Sequence, residues 1–403
     1  MATNENIRVA VVTGLVSTTT FISSQIQEAS KYSQIFQVVN TTFENNKEIS
    51  RLPLIKLTSR KKTELFKSFI LLAYLLLQTD FRRKTIKFFK SDKDKSFASK
   101  LYLMLKHINL FRNNIHIIHI QWVTALIEYF YMQKYFNIPI VCSLRGSHIT
   151  YKPITSEKIK KKYIDLFPLI RGFHSVSRTI KKKAIEYGAK EEFISVIYTG
   201  ANFEKIDKLA INNHQKKRII SIGRNHWVKG YSYAIDAMKI LRNSGYLFKY
   251  DLIGVEKDEP LVYQIHDHKL ENEISLKNKL PHREVLNYIK HSDILLLPSV
   301  EEGIANVVIE AMSLGTLVVS SDCGGMNEVI ENGENGYLFK KRDIHDMAEK
   351  LKKACNLTND ERKEIITNAT TRIHQQFRKD VLGKKTHQLY IDTIERYKLT
   401  KEQ

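Results

Sequence analysis

Two glutamates, Glu302 and Glu310, with seven residues between them, stand in the most informative stretch of the sequence. Glu302 lies in a polar turn after the apolar run Ile294–Pro298, and Glu310 lies in a helical pattern that begins near Asn306. Both carboxylates are therefore expected near the start of one helix, where free N–H groups and the helix dipole suit a phosphate. Carboxylates also accept hydrogen bonds from sugar hydroxyl groups. The pattern indicates a site for a phosphorylated sugar.

The alternative to a binding site is that Glu302 is a solvated acid in a loop and Glu310 an acid on a helix surface. Glu310, however, is followed by Ala311–Met312 and then by an apolar strand. A carboxylate in a mostly buried helix calls for a reason, which favours the binding site.

The segment SIGRNHWVKG begins at the end of the predicted strand Arg218–Ile222 and continues as a basic loop. Gly223 permits the turn that leaves the strand. Arg224 and Lys229 lie five residues apart on this loop and could both reach phosphates held at the glutamate helix. Two fixed cations can neutralise a leaving diphosphate without a metal ion. A solvated basic loop is the alternative, and the pairing with the glutamates is what favours a phosphate site.

The elements that must position these residues alternate between strand-like and helix-like segments. The rhythm predicts parallel sheets with right-handed crossovers, and it restarts after the polar stretch Thr199–His214. We therefore predict an α/β fold with two doubly wound, Rossmann-like domains, at residues 1–200 and 201–375. A C-terminal helix at 376–403 could pack back across the junction. Ligands bind beyond the carboxyl ends of such strands, so facing domains would offer one wall to a donor and another to an acceptor.

The composition, 43% hydrophobic and 27% charged, fits a globular protein of two domains. The net charge of +21 is uneven, because residues 1–200 hold 32 Lys and Arg against 14 Asp and Glu, and the remainder holds 32 against 29. Residues 51–112 interleave 16 basic residues with apolar ones, which suits docking onto an anionic membrane surface. An ordinary core-facing helix with a cationic outer face is an equal alternative. No recognised nucleic-acid motif is present.

The cysteines and the lengths of the apolar runs indicate where in the cell the protein is located. The three cysteines lack CxxC spacing, which suits a reducing compartment. The N-terminus resembles a first strand rather than a signal peptide. The longest apolar run, Phe69–Leu77, has nine residues, and a spanning helix needs about 20. We predict a cytoplasmic protein that could lie peripherally on the inner face of the cytoplasmic membrane. Asp92 and Asp94 form a D-x-D pair, but their lysine-rich surroundings favour a solvated loop over a metal site.

Together these motifs resemble the retaining glycosyltransferases of the GT-B fold, in the large group 4 family, also described as glycosyl transferases group 1. Arg224 and Lys229 are similar to the family's diphosphate-binding pair, and Glu302 and Glu310 to its E-x7-E motif. By this resemblance Arg224, Lys229 and Glu302 carry the catalytic roles, with Glu302 on the donor sugar and Glu310 on the ribose. The strand HSDILLLPS and the glycine-rich stretch GGMNEVIENGENGYLF add to the likeness, which covers roughly residues 172–340.

The resemblance also places backbone contacts. Gly303, Asn306 and Val307 fall where the family's loop meets the sugar and phosphate. Gly14 and Gly223 complete the predicted donor-binding set, Gly14 at a turn near the diphosphate.

The N-terminal half resembles the family more loosely. In the segment LRGSHITY, Arg145 stands where the family often has His, and His148 where it often has Asp. Arg145 could bind the acceptor or a phosphate, and His148 could contact the sugar or serve as an ordinary loop histidine.

The resemblance implies front-face transfer with retention, without a protein nucleophile, metal or other cofactor. The expected substrates are a UDP- or GDP-linked sugar and a saccharide or lipid-linked acceptor, in surface polysaccharide or lipopolysaccharide synthesis. The rivals are a nucleotide-sugar epimerase, a phosphorylase, or a non-catalytic module that binds a nucleotide sugar or a polyanion. The sequence does not identify the sugar or the linkage.

Overall fold

A computed structural model of the chain describes residues 7–14, 19–40, 52–91, 96–200, 216–256 and 258–402. The D-x-D pair and most of the predicted linker lie outside these ranges. The chain divides into two compact units. The N-terminal unit comprises Met1–Val176, Lys181–Ile197 and Lys379–Gln403. The C-terminal unit comprises Ser177–Ile180 and Tyr198–Arg378.

The strands described in the N-terminal unit form a seven-stranded parallel sheet in the order β3-β2-β1-β4-β5-β6-β7. The strands are β1 (Arg8–Gly14), β2 (Gln34–Asn40), β3 (Leu54–Leu57), β4 (Ile117–Ile120), β5 (Ile140–Leu144), β6 (Gly172–Ser175) and β7 (Ile194–Val196). Central strands such as β4 are buried at every position, because helices cover both faces of a doubly wound sheet.

The helices in this part of the chain supply the crossovers between parallel strands. They are α1 (Thr20–Ala29), α2 (Lys62–Leu76), α3 (Thr79–Lys90), α4 (Phe97–Arg112), α5 (Leu126–Phe136), α6 (Lys152–Thr155), α7 (Glu157–Leu166) and α8 (Arg178–Glu186). Three of them, α2 to α4, lie between β3 and β4, so the basic stretch 51–112 is largely helical.

The described strands of the C-terminal unit form a six-stranded parallel sheet in the order β10-β9-β8-β11-β12-β13. The strands are β8 (Lys217–Ile222), β9 (Phe248–Ile253), β10 (Ile274–Lys277), β11 (Ile294–Leu297), β12 (Leu317–Ser321) and β13 (Tyr337–Phe339). The helices are α9 (Tyr231–Asn243), α10 (Glu259–Asp267), α11 (His282–Lys290), α12 (Asn306–Ser313), α13 (Ile344–Asn356) and α14 (Asn359–Gln376). Chain order changes direction between β8 and β11, which makes their carboxyl ends the switch point where such sheets bind ligands.

The last helix, α15 (Lys379–Glu402), is part of the N-terminal unit. Its Leu382, Leu389 and Tyr390 are buried in one cluster with β1 and α1 residues. Gly383 allows a close approach, because a Cβ there would lie 2.6 Å from the carbonyl oxygen of Glu28.

The structure confirms the predicted class, two doubly wound α/β units. It adds β3, β10 and β13, which the sequence pattern did not predict. These are short outer strands, and β13 has three residues. Within the described residues, no helix is both long enough and apolar enough to span a membrane.

Candidate functional site

The loop after β8 is held against the loop after β11 by backbone contacts. Residues Trp227–Lys229 form a short 3₁₀ turn that ends at Gly230, whose φ is +68°. The N–H of Val300 donates to the carbonyl oxygen of Val228 at 2.7 Å. A Cβ on Gly230 would lie 2.1 Å from the Pro298 carbonyl oxygen. The two loops that carry the predicted lysine and glutamate are therefore locked together.

Lys229 and Glu302 form the centre of the site. The ammonium group Nζ of Lys229 lies 2.6 Å from Oε1 of Glu302, and the two side chains are only 19% and 17% exposed. The hydroxyl group of Ser299 donates to the same Oε1 at 3.0 Å. The sequence reasoning missed Ser299, although its place directly after Pro298 at the end of β11 was a usable signal.

Glycines fix the backbone around the glutamate. Gly303 is buried, and its carbonyl oxygen accepts a hydrogen bond from the N–H of Gly325 at 2.8 Å. A Cβ on Gly324, where φ is +56°, would lie 1.6 Å from the carbonyl oxygen of Glu302. The two consecutive glycines after Cys323 therefore let this segment pack directly on the Glu302–Gly303 backbone.

The start of α12 carries no side-chain cap. Its N-cap is Ala305, whose methyl side chain caps no N–H group. Asn306, the first helical residue, buries its Oδ1, which accepts no hydrogen bond from the described part of the chain. Val307 is half-buried on the same turn. This helix start retains hydrogen-bonding capacity beside Glu302 that a phosphate or a sugar hydroxyl can use.

Glu310 lies one helical turn further and contacts α11. Its Oε1 is 2.9 Å from Nε2 of His282, and the side chains of Glu310 and His282 are 22% and 46% exposed. The sequence reasoning missed His282. Its partner is 28 residues away along the chain, so no local pattern connects the two.

Arg224 is exposed on the loop after β8, and Gly223 precedes it. A Cβ on Gly223 would lie 2.8 Å from Oη of Tyr231 and 3.0 Å from Cε of Lys229, so the lysine stem runs over this glycine. Burial, with the charges of Arg224 and Lys229, lowers the pKa of His226. The structure therefore brings Lys229 and Glu302 into contact and leaves Arg224 extended towards solvent beside them.

Asp258, one of the acids after β9, has a structural role. Its Oδ1 accepts from the N–H of Leu261 at 2.9 Å, which caps α10. Its Oδ2 accepts from Nδ2 of Asn225 at 2.6 Å. This aspartate therefore ties the basic loop to the next helix.

The remaining predicted residues lie in the N-terminal unit. Gly14 ends β1 with φ at +78°. His148 ends a 3₁₀ turn, its ring centroid lies 5.1 Å from that of Trp122, and its carbonyl oxygen accepts from the Tyr163 hydroxyl at 2.9 Å.

The side chain of Arg145, the residue after β5, is buried. Its Nη2 donates to Oε1 of Gln25 at 2.5 Å and of Gln121 at 3.0 Å, and its guanidinium lies 5.0 Å from the Phe21 ring centroid. Burial lowers its pKa to about 9. With its side chain occupied by two glutamines, Arg145 is built to order the end of β5, and direct contact with an acceptor stays a prediction.

A buried polar network continues from Arg145 across the sheet. Ser143 lies 2.9 Å from Nε2 of His119 and 2.9 Å from Nδ1 of His174, and the Tyr390 hydroxyl lies 2.8 Å from Nδ1 of His119. Burial, with the nearby charge of Arg145, lowers the pKa of His174 to about 3.

No group of three or more His, Cys, Asp or Glu side chains suited to a metal ion occurs in the described ranges.

Comparison with known proteins gives a family match and whole-fold likenesses. Residues 202–372 match the family described as "Glycosyl transferases group 1". The amylovoran biosynthesis glycosyltransferase AmsK of Erwinia amylovora is 33% identical over 246 residues, which cover 59% of this chain and 60% of that protein. The putative colanic acid biosynthesis glycosyltransferase WcaL of Salmonella typhimurium is 30% identical over 173 residues, which cover 41% and 43%. The chain therefore matches these relatives over less than two thirds of their length.

A solved structure of Anabaena HepE, in complex with UDP-glucose, superposes with a TM-score of 0.69 at 16% identity, and covers 97% of this chain and 100% of that one. At this identity the likeness shows the fold, which is GT-B.

Proposed function

We propose that this chain is a glycosyltransferase that moves a sugar from a nucleotide-diphosphate-sugar donor to a saccharide or lipid-linked acceptor, because residues 202–372 match the family described as "Glycosyl transferases group 1". The observation that carries the proposal is the half-buried Lys229–Glu302 contact of 2.6 Å, three to four residues before the uncapped start of α12. Partly buried charged groups are concentrated at functional sites, and a donor diphosphate and its sugar would use both charges there.

In this proposal the diphosphate lies at the start of α12, within reach of Lys229 and Arg224. Lys229 is held by Glu302 and Arg224 extends from the same loop, so the two cations can meet the phosphates from one side. Their charge would be most valuable as the sugar–phosphate bond breaks, when negative charge grows on the leaving diphosphate.

The sugar and ribose would be held by acceptor groups. Glu302 and the Oδ1 of Asn306 are proposed to accept hydrogen bonds from sugar hydroxyls, and Glu310 from the ribose. The buried, unpaired Oδ1 of Asn306 supports a bound hydroxyl, since buried polar atoms are normally satisfied. Gly303 and Val307 would supply backbone contacts, and Gly14 a turn near the diphosphate.

The donor is proposed to be UDP- or GDP-linked. HepE, whose fold this chain shares, was solved with UDP-glucose, which supports a UDP-sugar as the first donor to test. The reaction is proposed to proceed with retention by front-face attack and without a metal ion or other cofactor.

The pathway is proposed to be surface polysaccharide synthesis, because the names of AmsK and WcaL place them in amylovoran and colanic acid biosynthesis. We propose a cytoplasmic location, with the basic N-terminal half in peripheral contact with an anionic membrane. Arg145 and His148 are the proposed acceptor-side residues, His148 by contact and Arg145 by positioning the end of β5.

The test is a screen of UDP-, GDP-, ADP- and CMP-sugars for binding and slow hydrolysis, with and without a chelator. Hydrolysis of one donor that survives the chelator is the expected result, and its anomeric product identifies retention. Interconversion of donor sugars without acceptor would instead identify an epimerase, and a requirement for inorganic phosphate would identify a phosphorylase. Binding without turnover, across a panel of saccharide acceptors, would contradict the enzymatic proposal.

A further inference from the structure

A cavity of about 600 Å³ lies in the N-terminal unit at the edge of the sheet where the strands begin. Ile7 precedes β1, Ile115 precedes β4 and Pro139 precedes β5, and all three line the cavity. Open α/β sheets bind their ligands at the opposite edge, beyond the carboxyl ends of the strands. The cavity is therefore separate from any site used for glycosyl transfer, and its volume falls in the range of about 300–1,000 Å³ of ligand pockets.

Apolar and polar side chains share the wall of this cavity about equally, and Gln78, Asn114, His116 and Asn137 are among the polar ones. Side chains from α2, α3, α4, α5 and α15 line it, among them Leu75, Phe81, Leu110, Phe136, Ile391 and Ile394. Phe81 packs within an aromatic group, with ring centroids 5.2 Å from Phe111 and 5.5 Å from Phe136. Such walls favour a hydrocarbon chain, because burial of apolar surface is what they can stabilise.

Lysines gather at the rim of the cavity. Lys84 and Lys398 line it, and Lys87 and Lys401 lie about one helical turn further along α3 and α15. Burial, with the charges of Lys84 and Lys87, lowers the pKa of Lys401, so these ammonium groups repel one another. The acids nearby are Asp80, 2.5 Å from Lys84, and the exposed Glu395. An acidic headgroup at the rim would relieve the remaining repulsion.

One face of α2 exposes large apolar side chains next to this cavity. The exposed fractions are 67% for Phe66, 56% for Ile70, 63% for Tyr74 and 75% for Leu77. Their spacing of three to four residues places them on one helical stripe, and the next residue, Gln78, lines the cavity. Exposed lysines flank the stripe at positions 61, 62 and 67. Apolar side chains flanked by cations are typical of a helix that lies on an anionic bilayer.

We propose that the cavity binds an acyl chain of an anionic membrane lipid, whose acidic headgroup pairs with the rim lysines Lys84, Lys87, Lys398 and Lys401 while the apolar face of α2 rests on the bilayer. The inference deepens the membrane contact in the proposed function and does not require glycosyl transfer. Its occupant is a lipid because the apolar side chains of the wall and the cationic rim match the two halves of an anionic amphiphile.

The test uses the intact chain, a fluorescent dodecanoyl phosphatidic acid, and vesicles of phosphatidylglycerol or phosphatidylcholine. We expect the chain to bind the probe saturably. We also expect it to sediment with phosphatidylglycerol vesicles and not with phosphatidylcholine vesicles. The double variant Lys84→Glu/Lys401→Glu should bind the probe at least about fivefold more weakly for each lysine changed. The matched control is Lys158→Glu/Lys161→Glu, which makes the same charge change at exposed positions on α7 and should bind as the unchanged chain does.

A second variant, Ile394→Trp, fills the cavity without changing charge. It should abolish binding of the probe and leave vesicle sedimentation largely intact. Thermal melting shows whether Ile394→Trp folds. If it does not fold, the charge variants alone test the lipid proposal. Equal probe binding by both charge variants, undiminished binding by folded Ile394→Trp, or full displacement of the probe by inorganic phosphate would each overturn the proposal. Donor hydrolysis is measured on the same preparations, so failure of the lipid site and failure of the glycosyltransferase proposal are told apart.

Discussion

The ammonium group of Lys229 lies 2.6 Å from Glu302, close to the helix start where the leaving diphosphate is proposed to lie. Replacing Lys229 with alanine removes this positive charge, and the carboxylate of Glu302 then loses its ion-pair partner. We expect kcat to fall about 10²–10³-fold, as for loss of one oxyanion-stabilising donor. Steady-state kinetics with the donor identified by screening would measure the change. The control is Lys341→Ala at an exposed position of the same unit, and equal activity of the two variants would contradict the assignment.

The contact between Glu310 and His282 leads to a different kinetic expectation. If Glu310 binds the ribose, its interaction is the same in the bound donor and in the transition state, so its loss raises KM and spares kcat. Glu310→Gln keeps the shape and removes the charge. We expect the donor KM to rise about tenfold or more, since hydrogen bonds to charged groups contribute about 1.5–3 kcal/mol.

His282→Asn provides the comparison for that variant, because it removes the partner of Glu310 and keeps the carboxylate. A KM that rises only in Glu310→Gln supports direct contact with the donor. An equal rise in both variants indicates that Glu310 acts through α11.

The buried histidines of the N-terminal unit predict a loss of stability in acid. Burial and Arg145 hold the pKa of His174 at about 3, against 6.5 for the ordinary side chain. The unfolded chain therefore binds more protons than the folded one between these values, and stability is full above about pH 6.5 and falls as the pH drops towards 3. Between pH 6.5 and 5 we expect a loss of about 2 kcal/mol from this histidine.

Thermal melting across that pH range measures the effect. His174→Gln keeps a neutral hydrogen-bonding group and should flatten the dependence of the melting temperature on pH. Burial also lowers the pKa of His119 well below its usual value. Part of the pH dependence should therefore remain in the His174→Gln variant. An unchanged slope in His174→Gln would show that other groups control the acid transition.

At the scale of elements, the turn at Gly230 tests how the two loops of the candidate site are joined. Alanine at this position meets both a positive φ of +68° and the Pro298 carbonyl oxygen at 2.1 Å. Gly245 is the matched control, because its φ is +85° and nothing lies within 4 Å of an added Cβ. We expect Gly245→Ala to cost about 1 kcal/mol of backbone strain, and Gly230→Ala to cost at least about 2 kcal/mol. Gly230→Ala should also lower activity, since it displaces Lys229. Equal shifts in denaturant midpoint would refute the close contact.

Elements also show where sequence reasoning succeeded. β1 and β11 were predictable, because their buried residues form continuous apolar runs between turn residues. β9 was predictable because the buried Phe248, Tyr250 and Leu252 alternate with less buried residues. β3 and β13, at the ends of their sheets, span four and three residues, too few to establish a period. The helix that starts at Asn306 was predictable because a polar turn precedes an apolar helical pattern. The same turn indicated the candidate site.

Partners in the candidate site were less predictable than the residues themselves. Glu302, Glu310, Arg224 and Lys229 stood out by type and spacing. The partner of Glu310, by contrast, comes from another helix, and nothing in the spacing of His282 marks it. Tertiary packing alone brings α11 beside α12, which is why the side-chain contacts needed the structure.

For the whole molecule, the uneven charge was visible in the sequence, but the use of that charge depends on where helices place it. Residues 51–112 hold 16 Lys and Arg, and a count cannot separate a cationic outer face from a membrane-docking face. The exposed stripe Phe66–Leu77 on α2 favours docking, because a helix that only covers the core would bury such side chains.

The assignment of α15 to the N-terminal unit predicts how a shortened chain would behave. Leu382, Leu389 and Tyr390 are buried among residues of β1 and α1, and Tyr390 contacts His119 at 2.8 Å. A chain that ends at Arg378 therefore loses one wall of the N-terminal core and should leave this unit unfolded, while the C-terminal unit keeps its own sheet and core clusters. Hydrogen exchange should then show fast exchange in β1, β4 and β5 and unchanged protection in β8, β9 and β11. The control is a chain that ends at Leu399, which removes the exposed Thr400 and Lys401 with the two residues after them and should retain protection in both units. Loss of protection in the C-terminal unit of the chain ending at Arg378 would show that its stability depends on α15 as well.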